Sequence, residues 1–547
     1  MNLSSVNAAF IQHVLEPNTR GLAFSGKCSE REPNRTFAAS CLKTISLHLP
    51  QVQLCLPLIA MPTIAVIGAS VRAALLEQTE RTRRCSKAEI ERIIEESERE
   101  IISLQSQIDA LVELRDSYRA RVYALKHIVS PIHSLPVELL AKIFDLAIKG
   151  ETHIQDAHRI SHVCSDWRRV AHSTPRLWTR PLQVKLWKTG RVIDGLKAWL
   201  ARSEPMAARV SLVSGFEDIN REILEEVLRV VRRLGSLDLP ITRTTPSWLV
   251  AQLEQSEFDG LEELHLRVAT WIDPALAFTT VPRLRKLRLI NFPRVPQTLV
   301  PWAQITDLTL SENPHDVTFG ILAMCPNLVV ASITTCGFRY HSQIQPNPLV
   351  LGQLHTLTLH SMAKSSYVTP FFSHLSTPLL QSLRVNFRDS KRSYWSQTDF
   401  TAFQLRAPNI AQLEFANSDD FTPGSLEATI RSAPSLTHLT IALCTGFDDS
   451  FIRALRYRDG VPPIAPCLQN LVVHKGHYVD VAEDVLAAMI ASRWWTDAEF
   501  ASLEVPPAVT RWTYVELDFR LGTLGSCFMG IVKHIPSHVL RYAKGHF

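Results

Sequence analysis

The chain lacks most of what secretion, catalysis or a membrane span would require. Its ten cysteines are scattered, with no Cys-x-x-Cys pair and no regular framework. That excludes a secreted disulfide scaffold and points to reduced thiols in the cytosol or nucleus. No Gly-x-Ser-x-Gly and no His-Glu-x-x-His occurs, so hydrolase and zinc-protease signatures are absent and no cofactor is expected. A net charge of +5 is small for 547 residues and gives no electrostatic footprint for a nucleic-acid partner. No basic stretch followed by an apolar core opens the sequence, against a secretory signal. The most apolar region, residues 41–69, is broken by Lys43, His48, Pro50, Pro57 and Pro62. A membrane helix needs about 20 apolar residues in a row, and none survives there.

Two short pieces invite a site and fail to make one. Gly21-Leu-Ala-Phe-Ser-Gly26-Lys27 has phosphate-loop spacing, but Cys28 stands where a magnesium-binding Ser or Thr is required. His158, His162 and Cys164 lie close in sequence, yet zinc takes four ligands and these are three.

What remains is ordinary globular sequence, 46% hydrophobic and 20% charged, and long enough for several domains. Residues 1–85 show no sustained period and are expected to be poorly ordered. From Ile90 the rhythm changes. Ile90, Ile94, Ser97, Ile101, Leu104, Ile108, Leu111, Arg115, Tyr118, Val122, Leu125 and Val129 alternate steps of four and three, a heptad pattern. Ile101 and Ile108 at a with Leu104 and Leu111 at d favour a parallel two-stranded coil, hence a homodimer through residues 90–129. Ile93, Val112 and Leu114 widen the stripe, which suits equally a helix folded back on its own chain. Pro131 ends this helix.

Residues 134–178 read as two amphipathic helices. Pro136 suits the first helical position and Glu138 the first turn, where the helix dipole favours negative charge. Leu139, Ile143 and Leu146 recur at i, i+4, i+7, with Leu140, Phe144 and Ala147 beside them. Ile160, Val163, Cys164, Trp167, Val170 and Ala171 keep helical spacing, which predicts one continuous second helix with Cys164 a small buried hydrophobe. The pattern Leu135-Pro136-x-Glu138-Leu139-Leu140-x-x-Ile143-Phe144, then Val163-Cys164-x-x-Trp167, closely resembles the F-box. Thr174-Pro175-x-Leu177-Trp178 matches its common extension. The resemblance implies that Leu135, Pro136, Leu139, Ile143, Val163, Cys164 and Trp167 dock on a Skp-type adaptor and, through it, a cullin. Two features depart from the family pattern: Ser165 stands where a basic residue is common, and the polar link from Lys149 to Ala157 is longer than usual.

After Trp178 a Leu-x-x-Leu-x-Leu pattern recurs. Leu261/Leu264/Leu266 is followed by Leu284/Leu287/Leu289, Ile305/Leu308/Leu310, Leu354/Leu357/Leu359 and further units to Leu468/Leu471/Val473. Periods run from 21 to 32 residues, and a proline precedes several units (Pro282, Pro326, Pro408, Pro434). This resembles the leucine-rich repeat in irregular form, in which each unit buries its leucines only by stacking on neighbours. A doubly wound domain is the alternative for alternating strands and helices, but no glycine-rich turn follows a strand. Asp480 is placed to cap a helix over Val481–Arg493, and Arg511–Phe519 alternates like a strand closing the open end.

The expected architecture is α/β: residues 1–85 an N-terminal extension, 86–130 a coiled-coil helix, 131–180 the F-box, 181–523 an irregular leucine-rich-repeat solenoid with its cap, and 524–547 a tail. Residues flanking each central leucine point to the concave face. Among them Lys286, Arg288, Arg384 and His438 are candidates to receive an acidic or phosphorylated protein substrate. Glu263, Asp307 and Glu414 on the same face give the competing picture of a solvated surface of mixed sign. The resemblance implies a non-catalytic substrate receptor of a cullin–RING ubiquitin ligase, cytoplasmic or nuclear. The alternative is an interaction scaffold with a degenerate F-box.

Overall fold

In a computed structural model the described residues run from Ser86 to Tyr542, with a few helical residues between 71 and 80. Within that span 151–152, 188–190, 214–218, 244, 270–275, 336–347, 362–368, 388–394, 419–420, 476–480 and 520–524 are not described. The expectation for residues 1–85 therefore lies largely outside the described residues, as do Gly21–Lys27 and Asp480. The chain divides into two compact units between Leu140 and Ala141.

In the first unit helix α1, Lys87–Ile128, runs 42 residues. No proline or glycine interrupts it, and Pro131 opens the short 3-10 turn Pro131–Ser134 that follows. Its heptad stripe is not buried: Ile101 is 64% exposed, Leu104 51%, Ile108 53% and Leu111 65%.

Helix α2, Val137–Ala147, crosses the division. The second unit then continues with α3, His153–His162, and α4, Ser165–His172. The single second helix expected from the spacing is thus two. Cys164 is extended (φ −155°, ψ 176°) and its Sγ accepts the backbone N–H of Trp167 at 3.5 Å, so it caps a new helix. Cys164 is half-buried, not the buried hydrophobe expected. The polar link is shorter than expected too, because α3 already begins at His153.

The rest of this unit is a parallel ladder. Its strands are β1 Leu182–Lys185, β2 Ala208–Val213, β3 Leu234–Ile241, β4 Glu263–Val268, β5 Lys286–Ile290, β6 Asp307–Ser311 and β7 Val330–Thr335. It continues, past the short β8 Leu349–Val350, with β9 Thr356–Ser361 and, past β10 Leu375–Ser376, with β11 Ser382–Phe387. It closes with β12 Gln412–Ala416, β13 His438–Ala442, β14 Asn470–Lys475, β15 Tyr514–Phe519 and β16 Leu540–Tyr542. Fourteen of these form one sheet in chain order, while β8 and β10 pair separately. Within the large sheet each strand pairs with the next one in chain order, with β8 and β10 set aside, the arrangement a stacked-repeat fold requires. The register aligns the central leucines, as in Leu264–Leu287–Leu308 and Leu357–Leu383–Leu413–Leu439.

Alternation along each strand sends its leucines inward, where Leu264, Leu266, Leu308 and Leu310 are fully buried. Leu237 and Leu239 face Leu224 and Val227 of helix α6 (numbered after α5, Arg191–Arg202; α6 is Arg221–Arg229), together with Leu249 and Leu253. Farther along, aromatics join the core: half-buried Trp395 meets Phe421 at a tilt of 39° with centroids 4.4 Å apart, and Phe415 lies 4.9 Å from Phe421.

The turn leaving several strands is a left-handed corner. Asn291, Glu312, Asn417 and Leu443 have φ of 60°, 59°, 58° and 54°, each directly after β5, β6, β12 or β13. The N–H of each donates to the following strand, as Asn291 does to Ser311 O at 2.9 Å and Leu443 to His474 O at 2.7 Å. The C-terminal end differs from expectation. Its helix starts at Glu483 after Ala482, whose N–H donates to Asp449 Oδ1 at 2.8 Å, a cap supplied from the preceding repeat. The sheet also passes beyond Phe519, because β16 within the expected tail pairs with β15.

Candidate interaction surfaces

Helix α2 carries two apolar stripes with opposite fates. Leu140, Phe144 and Ile148 are buried at 6%, 1% and 4% exposure. Leu139, Ile143 and Leu146 remain exposed at 54%, 43% and 74%. The sequence pattern merged these into one face; the helix separates them by roughly the 100° between adjacent residues. Among the expected docking residues, Leu135 is half-buried and Pro136 exposed, both with Leu139 in the first unit. Ile143, Val163, Cys164 and Trp167 belong to the second unit, and Val163 is 58% exposed.

Within that unit Trp167 is half-buried, its ring 4.8 Å from buried Phe144, so it braces α4 against α2. Arg180 reaches back to α2, 3.8 Å from the Asp145 carboxylate. Trp178 closes the assembly from below: its indole N–H donates to Ala171 O at 2.8 Å, and its ring meets Trp199 of α5 edge-on at 4.9 Å. Arg202 lies 4.8 Å over the same indole. Around this joint burial holds His158 and His172 down at about 4, with His162 and Arg202 adding repulsion at His158 and Arg202 and Arg168 at His172. His158 and His162 stack at 3.9 Å, and among the described residues no three or more His, Cys, Asp or Glu side chains cluster as a metal site.

Residues 132–184 match the family described as F-box-like. This match spans α2 to α4, the Pro175–Trp178 turn and most of β1. Solved structures similar to the chain include an internalin (inlF) from Listeria monocytogenes, 13% identical over 58% of this chain and 86% of that one, with a TM-score of 0.29. Another is the TLR13–ssRNA13 complex, 13% identical over 57% of this chain and 37% of that one, with a TM-score of 0.23. Both likenesses are too distant to bear on function. No curated protein matches the chain. An F-box-like domain continuous with a leucine-rich-repeat-like sheet is the build of a protein-interaction adaptor, and both parts are of typically non-catalytic kinds.

The outer side of the sheet sorts the other candidates into rows. One row reads Glu263, Lys286, Asp307, Val330, Thr356, Ser382, Gln412, His438 across successive strands. The next reads His265, Arg288, Thr309, Ser332, Thr358, Arg384, Glu414, Thr440. Two of the four expected cations already face carboxylates: Lys286 lies 3.4 Å from Glu263, and Arg384 Nε donates to Glu414 at 2.6 Å. His438 is half-buried, its Nδ1 2.8 Å from Thr437 Oγ1. Arg288 is exposed, with His265 and Thr309 as its ladder neighbours. Arg288 and Arg384 stand four strands apart, about 19 Å at the usual strand spacing, so no single phosphate spans them. Hydroxyls of Thr309, Ser332 and Thr358 fill the row between. Strand register makes neighbours of partners 23 and 30 residues apart, in keeping with the face of mixed sign.

Proposed function

We propose that the chain is a substrate-recognition subunit of a cullin–RING ubiquitin ligase, cytoplasmic or nuclear. Its F-box-like domain docks on a Skp-type adaptor, and the outer face of its sheet captures a protein substrate. The observation that carries this reading is the exposed apolar stripe of α2, with Leu139 and Ile143 one turn apart, inside a segment matching the F-box-like family. A monomer gains nothing from exposing such a stripe, whereas a docking partner buries it. Leu135, Pro136, Val163, Cys164 and Trp167 complete the adaptor contact, Cys164 and Trp167 mainly by fixing how α4 starts. The chain adds no chemistry: it holds a substrate lysine near a loaded conjugating enzyme and raises its effective concentration. On the substrate side Arg288 and the hydroxyl row beside it are the favoured contacts, since Lys286 and Arg384 already serve Glu263 and Glu414.

Co-purification with a Skp-type adaptor tests the reading. Leu139→Asp with Ile143→Asp is expected to abolish a one-to-one complex while the melting curve is unchanged. An undiminished complex would refute the docking face. No complex from the folded wild-type chain would leave an interaction scaffold with a degenerate F-box.

A further inference from the structure

Helix α1 exposes its apolar heptad stripe from Ile94 to Leu125, and the charges flanking that stripe are segregated. With Ile101 and Ile108 at a, the flanking e and g positions in the N-terminal half hold Glu91, Glu98 and Glu100. In the C-terminal half they hold Arg119, Arg121 and Lys126. All six side chains are exposed. We infer that α1 pairs with α1 of a second copy of this chain in antiparallel orientation.

The register follows from the seam. When Ile108 at a meets Leu111 at d of the other copy, Ile101 meets Tyr118 and Leu104 meets Arg115. The same register sets Glu98 against Arg119, Glu91 against Lys126, and Glu100 against Arg121. Twofold symmetry repeats each pairing, so every flanking charge faces its opposite. A parallel pair does the reverse. It would stack Arg115 on Arg115 in the seam, and its g-to-e′ contacts would include Arg121 against Lys126 and no opposite charges. Isoleucine at a with leucine at d suits a parallel coil, but the flanking charges decide direction, which e and g positions commonly do. Within one chain Glu91 lies 3.7 Å from Lys87 and Arg119 lies 3.6 Å from Asp116. These are solvent-exposed i,i+4 and i,i+3 contacts that an interchain partner displaces at little cost.

Antiparallel pairing makes a specific contact possible that a single helix forbids. Glu91 and Lys126 are 35 residues apart on one uninterrupted helix, about 50 Å at 1.5 Å per residue, so they meet only between copies. Light scattering on the full chain is expected to give twice 61.6 kDa. Zero-length carbodiimide coupling of that dimer is expected to join Glu91 to Lys126, identified by peptide mass spectrometry. Arg119→Glu should weaken the dimer about tenfold or more, and adding Glu98→Arg in the same chain should restore it, with circular dichroism confirming the fold in both. A monomeric wild-type chain, a dimer lacking the Glu91–Lys126 link, or no rescue by Glu98→Arg would each overturn the inference.

Discussion

The repeat sheet and helix α2 are built from the same residue types at regular spacing, yet they treat them oppositely. Leu264 and Leu308 are fully buried, while Leu139 is 54% and Leu146 74% exposed. The strand leucines have copies of themselves one strand away on either side, so stacking covers them. The outer stripe of α2 repeats on no neighbouring element. Periodicity therefore marks which residues share a face, and the neighbours decide whether that face is buried or exposed.

Several changes would break or sharpen this contrast. The largest effect is expected in the ladder, where Leu357→Ala opens a cavity between strands already in register. It should cost about 2–5 kcal/mol in urea unfolding. A graded loss is expected at the Trp178 joint on acidification. His158 and His172 are held near 4 in the folded chain against an ordinary value of about 6.5. The unfolded chain thus binds more protons between those values. Their contribution is complete above pH 6.5 and lost as pH falls toward 4. The melting temperature should drop across that window, and less so in His158→Gln with His172→Gln. A smaller gain is expected at Leu443, whose φ of 54° suits asparagine better. Leu443→Asn should stabilise by about 1 kcal/mol, read in the same unfolding assay. Smallest of all, Leu139→Asp with Ile143→Asp should shift stability by no more than about 0.5 kcal/mol. A large loss there would mean the stripe is core after all.

Most of the ladder could be read in advance, because Leu-x-x-Leu-x-Leu states both the strand and its inward side. The strands at its two ends could not. β1 and β16 are four and three residues long, too short to carry the pattern. The break at Cys164 was hidden because Val163 and Trp167 keep helical spacing across it. It shows only as a sulfur accepting a backbone N–H. The surface chemistry was least legible. The sequence put Lys286 and Arg384 on one face with Glu263 and Glu414, but only the structure shows which carboxylate each cation meets. Exposure of Leu139 was foreseeable solely through the family resemblance, since spacing alone would have buried it with Leu140.

Strand β1 begins at Leu182, and the F-box-like match ends at residue 184. The last residues of that domain are therefore the first rung of the ladder, with no tether between them. A side chain on β5 stands four rungs, about 19 Å of sheet, from that start, and one on β12 nine rungs, about 43 Å. The sheet works as a graduated rule whose zero mark is the F-box-like domain. Inserting or deleting one repeat slides every later position along it by one rung, about 4.8 Å, and leaves every earlier one in place.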